Sequence, residues 1–243
     1  AADVETLQQT INEIRIKIWQ QQPASFFDET IIEADGTMAP TFGQCKQGMD
    51  ISYHGQWGYH PLVVSLANTA EPLFLDNRSG NRPSHEGAAA RFDQAADLVR
   101  RGGFKSILFR GDTDFTQTSE LDRWDDAGDL RFIFGIDAMA NLKQIAENLG
   151  KTRWKRLERP PKYEVKTEQR LKRDNVKKQI VVKREFENIR LKSEDVAEFS
   201  YRPTKCRKAY RIVAVRKNLS KEKGEDVLFD DVRYFFYITN DRL

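Results

Sequence analysis

Residues 105–115 read Lys-Ser-Ile-Leu-Phe-Arg-Gly-Asp-Thr-Asp-Phe, a short apolar run that ends abruptly in a glycine and an acid. Such a run, bounded by turn residues and preceded by a helical pattern, is typical of a buried parallel strand. Open α/β sheets place their chemistry at the carboxyl ends of central strands. The stretch therefore predicts an α/β fold in which Asp112 lies at a functional edge of the sheet.

A second stretch has the same design. Residues 30–37 read Thr-Ile-Ile-Glu-Ala-Asp-Gly-Thr, an apolar strand that delivers Asp35 next to Gly36. If the two strands are neighbours, Asp35 and Asp112 converge, and two carboxylates are the minimum set of oxygen ligands for Mg²⁺ or Mn²⁺. The alternative is that either aspartate caps a helix or forms a turn. The repetition of the pattern favours the metal site.

The amino-terminal segment predicts an amphipathic helix over residues 4–22 that Pro23 ends. Its apolar side chains recur at alternating steps of three and four residues, at Val4, Leu7, Ile11, Ile14 and Ile18. We expect this face to pack on the body of the protein, and contact with a partner helix is the alternative.

The following elements predict a mixed sheet. Strands at about 29–38, 61–67 and 71–75, joined by turns, favour an antiparallel meander. A helix that begins near Ser84, the expected N-cap, and ends at Gly102-Gly103 would then cross over to the strand at 106–110. Such a crossover permits parallel pairing with the first strand. Further elements are expected as helices at 117–127 and 138–149 and a strand at 131–136.

Charge divides the chain. Residues 151–223 hold 25 Lys and Arg against 10 Asp and Glu, whereas the whole chain carries a net charge of only +3. This asymmetry favours a polyanionic partner, most simply nucleic acid, and a solvated or disordered basic segment is the alternative. In and after this segment we expect strands at 180–186, 210–216 and 233–241, with a charged turn at 217–226.

Other function classes receive no support. No run approaches the roughly 18 apolar residues that a membrane-spanning helix needs, and the polar amino terminus does not have the pattern of a signal peptide. Cys45 and Cys206 form no pattern, so we expect reduced thiols in a cytosolic protein. The spacing of His54 and His60 is not that of a zinc site. The chain does not begin with Met and is interpreted as a possible fragment.

Five short motifs occur in a fixed order: Glu33-Ala34-Asp35-Gly36-Thr37, Gly43-Gln44, Gly58-Tyr59-His60-Pro61-Leu62, Arg78-Ser79-Gly80-Asn81 and Phe109-Arg110-Gly111-Asp112-Thr113-Asp114-Phe115. No single motif is specific, but the ordered set resembles the catalytic domain of insertion-sequence DDE transposases of the DDE domain group 1 type. The resemblance covers about residues 28–150, and residues 151–243 more loosely.

The resemblance implies a ribonuclease H-like mixed sheet flanked by helices, with a basic, β-rich insertion. The implied division is an amino-terminal helix at 1–27, a catalytic core at 28–150, the insertion at 151–232 and a return strand of the core at 233–243. It also implies DNA as the partner, both transposon ends and target, and a homodimer in the active complex.

Carried over by position, the resemblance makes Asp35 and Asp112 the first and second catalytic acids, which would hold two Mg²⁺ or Mn²⁺ ions. The third acid of the family is a Glu on a helix after the return strand, which we expect beyond Leu243. The chain as given is therefore expected to be inactive or nearly so. Asp114 stands where the family usually has a small residue, and we do not assign it as a ligand.

Basic side chains are predicted to contact DNA phosphates. They are Arg78, Arg82, Lys155, Arg156, Lys177, Lys178, Lys183, Arg184, Arg207, Lys208, Arg211 and Arg216. For Arg78 and Arg82, helix capping or surface ion pairing is an equal alternative. Trp57 and Trp154 are candidates for base stacking, but core or interface aromatics are the more common use of such residues.

Three alternative functions stay open. The chain could be a non-catalytic DNA-binding remnant of a transposase, or a ribonuclease H-like nuclease of another kind, such as a resolvase or an exonuclease. The long basic insertion argues against the latter. A structural protein unrelated to nucleic acid is the remaining reading.

Overall fold

The computed structural model describes residues 2–43, 45–159, 176–224 and 226–241. The helices are α1 (Ala2–Trp19), α2 (Ala88–Gly102), α3 (Leu121–Asp126), α4 (Ala140–Glu147) and α5 (Val176–Lys183). The strands are β1 (Thr30–Gly36), β2 (Ala39–Pro40), β3 (Asp50–Ile51), β4 (Trp57–Tyr59), β5 (Leu62–Leu66), β6 (Glu71–Asp76), β7 (Ile107–Gly111), β8 (Leu130–Ile136), β9 (Lys155–Arg156), β10 (Glu187–Tyr201), β11 (Tyr210–Lys223) and β12 (Asp226–Thr239). None of these described helices is long and apolar enough to cross a membrane.

The chain forms two compact units. The core unit comprises Ala1–Ile136, Ser200–Ile212 and Tyr237–Leu243, and the basic unit comprises Asp137–Phe199 and Val213–Phe236. Strands β10, β11 and β12 each contribute residues to both units. The domain boundaries that the sequence predicts after residues 27, 150 and 232 stay predictions, because compactness alone defines these units.

In the core unit the sheet order is β6-β5-β1-β7-β8. Strand β1 is antiparallel to β5 and parallel to β7, and β7 is parallel to β8. This is the ribonuclease H-like mixed arrangement, and it confirms both the predicted meander and the predicted crossover. A separate small sheet, β2-β4-β3, lies in sequence between β1 and β5.

Aromatic packing fixes α2 on this sheet. The Phe92 ring of α2 lies 4.6 Å from the Phe109 ring of β7, measured between ring centroids. Trp124 of α3 and Phe134 of β8 complete the cluster with edge and tilted contacts at 5.2 to 5.8 Å. Such pairs add to the area that they bury, so the cluster holds the strands that carry the predicted acids.

The start of α2 corrects a prediction. The helix begins at Ala88 with Gly87 as its N-cap, and Ser84 is not the cap. The reason is Arg78, whose guanidinium donates to the carbonyl oxygens of Pro83, Ser84 and Glu86. These bonds hold the segment before the helix in turns. The helix can begin only after Gly87, whose φ of +77° is a left-handed conformation that a glycine adopts without strain.

The orientation of α1 corrects a second prediction from the sequence. The residues predicted to pack on the body, Val4, Leu7, Ile11, Ile14 and Ile18, are 45 to 59% exposed. The opposite face packs instead: Asn12, Ile16 and Trp19 are buried. The periodicity of the sequence predicts that the helix has an apolar face, but it does not predict what covers that face.

In the basic unit the strand order is β12-β11-β10-β9. The predicted strand at 180–186 is wrong, because residues 176–183 form helix α5. Its Val181 and Val182 line a cavity of about 400 Å³ together with Phe186. Strand β11 runs on to Lys223 and turns at Gly224, so the predicted charged turn at 217–226 is mostly strand. The sequence also predicts a charged helix over residues 167–179, of which 167–175 lie outside the described residues and 176–179 belong to α5.

Candidate active site

The register of β1 and β7 brings the two predicted acids to the same edge. The parallel pairs run from Thr30 with Ile107 to Glu33 with Arg110, a constant offset along the two strands. The pair Glu33 with Arg110 stands two residues before Asp35 and before Asp112, so both aspartates follow at the same edge of the sheet. Asp35 is the sixth residue of β1, and Asp112 comes directly after the end of β7. Both aspartates are exposed to solvent.

Asp112 is held in a defined turn. It caps the short 3₁₀ turn Thr113–Phe115, with its Oδ1 accepting from the Asp114 N–H at 2.9 Å. Gly135 of β8 lies against this turn, since a Cβ there would come within 2.9 Å of the Thr113 nitrogen. The Thr116 hydroxyl also donates to the Gly135 carbonyl oxygen. A glycine on the neighbouring strand therefore makes room for the turn that positions Asp112.

Charge accumulates at this edge. Partial burial raises the pKa of Asp112, and the carboxylates of Asp114 and Asp35 raise it further, against hydrogen bonds from the Asp114 and Phe115 N–H groups that lower it. A bound divalent cation relieves the electrostatic cost of charging a carboxylate in such an environment. The donor set, exposed carboxylate oxygens on two adjacent strands, fits the hard oxygen ligands of Mg²⁺ or Mn²⁺.

An ion pair beside the two aspartates was not found by sequence reasoning. Glu33 and Arg110 stand opposite each other in the register and form an ion pair. Both lie two residues before the acids, hence on the same face of the sheet. The period of two along a strand was the available signal.

Residues of the motifs 58–62 and 78–81 pack at the end of β1 and against the small sheet. A Cβ at Gly36 would lie 3.0 Å from Cε1 of His60, and the His60 Nδ1 is 3.0 Å from the Arg82 carbonyl oxygen. Gly58 and Gly80 allow main chains to approach closely, because a Cβ at either would lie 2.3 to 2.4 Å from a carbonyl oxygen. These residues therefore attach the small sheet to the end of β1, and their role is in structure.

The Arg78 guanidinium donates its hydrogen bonds to main-chain groups of the protein. Besides the three carbonyl oxygens before α2, its Nε donates to the His60 carbonyl oxygen at 3.0 Å. Its Nη2 is buried without a hydrogen-bond partner. Burial lowers the pKa of the guanidinium. Arg82 pairs with Glu86 at 3.0 Å on the surface. Phosphate contact by these two residues stays a prediction, and the alternative of a structural role matches the geometry of Arg78.

Arg207 and Lys208 are drawn to acids of α3. Asp122, which is buried, accepts from the Tyr210 hydroxyl at 2.6 Å and from the main-chain N–H groups of Arg207 at 2.6 Å and Lys208 at 3.3 Å. The Lys208 ammonium lies 2.5 Å from an Asp125 oxygen, and the Arg207 guanidinium lies 3.0 Å from Asp126. Their side chains are thereby engaged within the core unit.

The same hydrogen bonds set the ionisation of the cluster. Burial opposes the charge of Asp122, but the bonds from Tyr210 and the two N–H groups prevail and lower its pKa. Burial, followed by the hydrogen bond to Asp122, raises the pKa of Tyr210. Burial and then Asp122 also raise the pKa of the Cys206 thiol to about 11, while Cys45 is exposed. Both cysteines are free.

The remaining predicted DNA contacts divide into two groups. Arg216 pairs with Asp195 at 3.1 Å and its guanidinium carbon lies 4.3 Å from the Trp154 ring centroid, while Arg211 donates to the Asp241 carbonyl oxygen at 3.4 Å. Arg156 lies 3.8 Å from Asp195 and donates to the Lys192 carbonyl oxygen at 3.4 Å. The side chains that are exposed to solvent in the basic unit are those of Lys155, Arg156, Lys177, Lys178, Lys183 and Arg184. Trp57 is half exposed and therefore not a core residue.

The third acid is not found in the described part of the chain. Among residues 2–43, 45–159, 176–224 and 226–241, no group of three or more His, Cys, Asp or Glu is arranged to hold a metal ion. The predicted pair of ions stays a prediction that rests on Asp35 and Asp112.

Comparison with known proteins places the chain in a family. Residues 1–224 match the model of transposase DDE domain group 1, and the chain belongs to this family. No curated protein matches. Among solved structures, the chain is similar to the piggyBac transposase in a synaptic complex with hairpin DNA, studied by cryo-EM, with 11% identity and a TM-score of 0.44. That match covers 98% of this chain, which spans 38% of the piggyBac chain.

Proposed function

We propose that this chain is the catalytic domain of a DNA transposase that cleaves phosphodiester bonds at transposon ends and transfers the cut strand to target DNA. The observation that supports the proposal is the parallel register of β1 and β7, whose pair Glu33 with Arg110 stands two residues before Asp35 and before Asp112. Membership in the transposase DDE domain family supports it.

The carboxylates of Asp35 and Asp112 would hold the divalent ions of this reaction. When bound, two such ions lower the pKa of an attacking water and stabilise the charge on the leaving 3′-oxygen. Asp35 and Asp112 would hold these ions, and a third acid of this family would complete the set of ligands. A 3′-hydroxyl in place of water turns hydrolysis into strand transfer, without any change in the roles of the protein residues.

The other side chains at this edge would position the acids. The Asp114 N–H fixes one oxygen of Asp112, so that carboxylate presents a defined orientation. The Arg110 guanidinium, paired with Glu33, places a positive charge on the same face, where a phosphate would approach. We propose that the exposed lysines and arginines of the basic unit add phosphate contacts that do not depend on sequence.

A nicking assay on supercoiled plasmid with Mn²⁺ or Mg²⁺ tests the proposal. We expect weak nicking, because only two carboxylates of the predicted set are grouped in the described residues. Asp35→Asn and Asp112→Asn should each abolish it while DNA binding is retained. Asp97→Asn, an exposed acid of α2 that pairs with Arg100, is the matched control and should nick like the wild type.

The second candidate is a non-catalytic DNA-binding remnant, which the incomplete acid set favours. It predicts that the wild type and both Asp→Asn variants bind DNA alike and that nicking does not exceed the background of protein-free reactions. Metal-dependent nicking that survives both substitutions would contradict the proposed site itself.

A further inference from the structure

The small sheet carries aromatic side chains that are open to solvent. Phe42, which follows β2, is 92% exposed, and Tyr53, in the turn after β3, is 93% exposed. Trp57 of β4 is 50% exposed and stands opposite Ile51 of β3, which is 44% exposed. Single exposed apolar residues are normal on a protein, but a group of exposed rings marks a place of contact with another molecule.

Hydrogen bonds fix the turn that carries Tyr53. The Ser52 N–H donates to the Gln56 carbonyl oxygen at 2.8 Å, and the Gln56 N–H donates to the Ser52 hydroxyl oxygen at 3.2 Å. One face of the Tyr53 ring stacks on the His54 ring, with 3.8 Å between the ring centroids. An anchored and stacked ring loses little conformational freedom when a second planar group binds to its other face.

Charge is nearly absent from the segment that forms this surface. Residues 37–60 hold one basic residue, Lys46, and one acid, Asp50, whereas 32% of the residues of the whole chain are charged. The Asp50 carboxylate accepts from a main-chain N–H at 2.7 Å and from the Asn81 amide at 2.6 Å. The Lys46 ammonium donates to the neutral Thr41 hydroxyl at 2.5 Å. The acid of this segment is therefore engaged in hydrogen bonds, while the cation keeps its positive charge.

The surface lies beside the candidate active site. Ala39 of β2 follows Asp35 of β1 by four residues, so their Cα atoms are at most about 14 Å apart. Strand β4, which carries Trp57, pairs with β2. A DNA strand that is bound at Asp35 and continues along this edge of the core unit therefore reaches the rings.

The chemistry of the surface selects its occupant. Between the rings stand glycines and polar residues, such as Gly55 and Gln56, so the rings do not merge into the continuous apolar patch that a protein partner covers. A nucleobase is a neutral planar group that stacks on Phe, Tyr or Trp regardless of sequence. In duplex DNA both faces of each base are covered by its neighbours, so an unpaired base is the one that presents a face to a ring.

We propose that the small sheet is a stacking platform for unpaired bases of DNA beside the scissile phosphate. Phe42, Tyr53 and Trp57 each take the face of a base, and Lys46 meets a phosphate between them. The proposal rests on the proposed function for its partner, DNA, and adds that the duplex is opened next to the candidate active site. It gives a role to exposed rings that neither the two acids nor the basic unit uses.

Binding of paired and frayed DNA, measured without a divalent ion, tests the platform apart from catalysis. The probes are a fluorescent duplex and the same duplex with a short mispaired end. We expect the wild type to bind the frayed duplex more tightly than the paired one. Phe42→Leu, Tyr53→Leu and Trp57→Leu should each weaken binding of the frayed duplex about tenfold, the effect of one lost base stack, and leave binding of the paired duplex unchanged.

Two kinds of control separate stacking from bulk and from folding. Tyr53→Phe and Trp57→Phe should keep the tight binding of the frayed duplex, because Phe retains the planar face that Leu lacks. Trp57→Phe should also lose the quenching of Trp emission that frayed DNA causes in the wild type, a signal that a merely structural role would not produce. Phe229→Leu changes a ring of β12 that is 54% exposed and should bind both duplexes like the wild type.

The outcomes distinguish the platform from the proposed function. Ring variants that bind both duplexes like the wild type would overturn the platform and leave the rings to a protein partner, while the proposed function would stand on the dependence of nicking on Asp35 and Asp112. Equal weakening for both duplexes would also overturn the platform, because the rings would then contact paired DNA. A wild type that binds neither duplex would contradict the proposed function together with the platform.

Discussion

The core unit and the basic unit use their charged residues in different ways. In the core unit, several basic side chains make contacts within the unit. Arg78 donates hydrogen bonds to four carbonyl oxygens, and Arg207 and Lys208 pair with acids of α3. In the basic unit, Arg159 pairs with Glu194 and Arg216 with Asp195, but lysines such as Lys155, Lys177 and Lys183 are exposed to solvent. A basic count therefore locates a charged segment, but it does not identify which charges are available to a polyanion.

The two units also differ in what holds them together. The largest fully buried side chains of the described residues lie in the core unit, with Phe236 as the exception. The basic unit relies more on polar and cation–π contacts, in which Asp195 binds Arg216 and Asn218, and Arg216 stacks on Trp154. The predicted acids therefore follow strands that large buried aromatic side chains pack together, while polar and cation–π contacts have a larger share in the basic unit.

The largest effect is expected from Asp122→Ala. It removes the acceptor of the Tyr210 hydroxyl and of two N–H groups. Unsatisfied buried donors should lower the free energy of unfolding by about 3 kcal/mol, measured by urea denaturation. Asp126→Ala, which removes a surface partner of Arg207 and Lys208, is the control and should leave the denaturation midpoint near that of the wild type. Equal loss in both variants would mean that surface pairing, and not the buried acceptor, fixes this loop.

Gly135→Ala should come next. Its Cβ would press on the Thr113 nitrogen and displace the turn that holds Asp112. A displacement of this kind is expected to lower the nicking rate about 100-fold. The control is Gly150→Ala, where the nearest atom, Thr152 Oγ1, is 3.9 Å from the added Cβ. If the variant kept both its fold and its nicking rate, the position of Asp112 would not matter to the reaction.

A smaller effect is expected from the lysines. Lys177→Gln and Lys183→Gln should each reduce the slope of log affinity for DNA against log salt by about 1. Lys208→Gln should leave that slope unchanged, because its ammonium is already paired with Asp125 and Asp126. A slope that falls for Lys208→Gln, and not for the other two, would reverse the comparison between the units.

The smallest effect concerns pH. Because the folded state lowers the pKa of Asp122, the carboxylate stabilises the fold above its unfolded value of about 3.9, and this stability is lost as the pH falls through the lowered pKa. Thermal melts between neutral and strongly acidic pH should therefore fall less steeply for Asp122→Asn than for the wild type. A parallel fall in both proteins would show that other carboxylates account for the acid sensitivity.

The sequence was sufficient for the part of the fold that local pattern determines. Apolar runs that end in an Asp next to a Gly predicted β1 and β7, and the crossover helix between them permitted the parallel pairing that the structure has. That helix, α2, buries Phe92, Ala95 and Val99. These predictions succeeded because a strand between turns and a helix with a single apolar face have few alternative arrangements.

The sequence failed where the outcome depends on a distant partner. Helix α1 has the predicted apolar face, but hydrogen bonds from Gln8 and Asn12 to β6 decide which face packs. The DNA contacts of Arg207 and Lys208 stay predictions, and nothing local in the sequence reveals that acids of α3, more than 80 residues away in the chain, pair with them. The run at 180–186 was ambiguous, since short apolar runs fit a strand or a helix.

The most direct test of the central claim is a crystal structure with Mn²⁺, with anomalous scattering recorded at the carboxyl edge of β1 and β7. The account predicts an anomalous peak bound by carboxylate oxygens of both Asp35 and Asp112, lost in Asp35→Asn. Carboxylates that point apart, with the manganese bound elsewhere or not at all, would contradict the account and leave the basic unit as the functional surface.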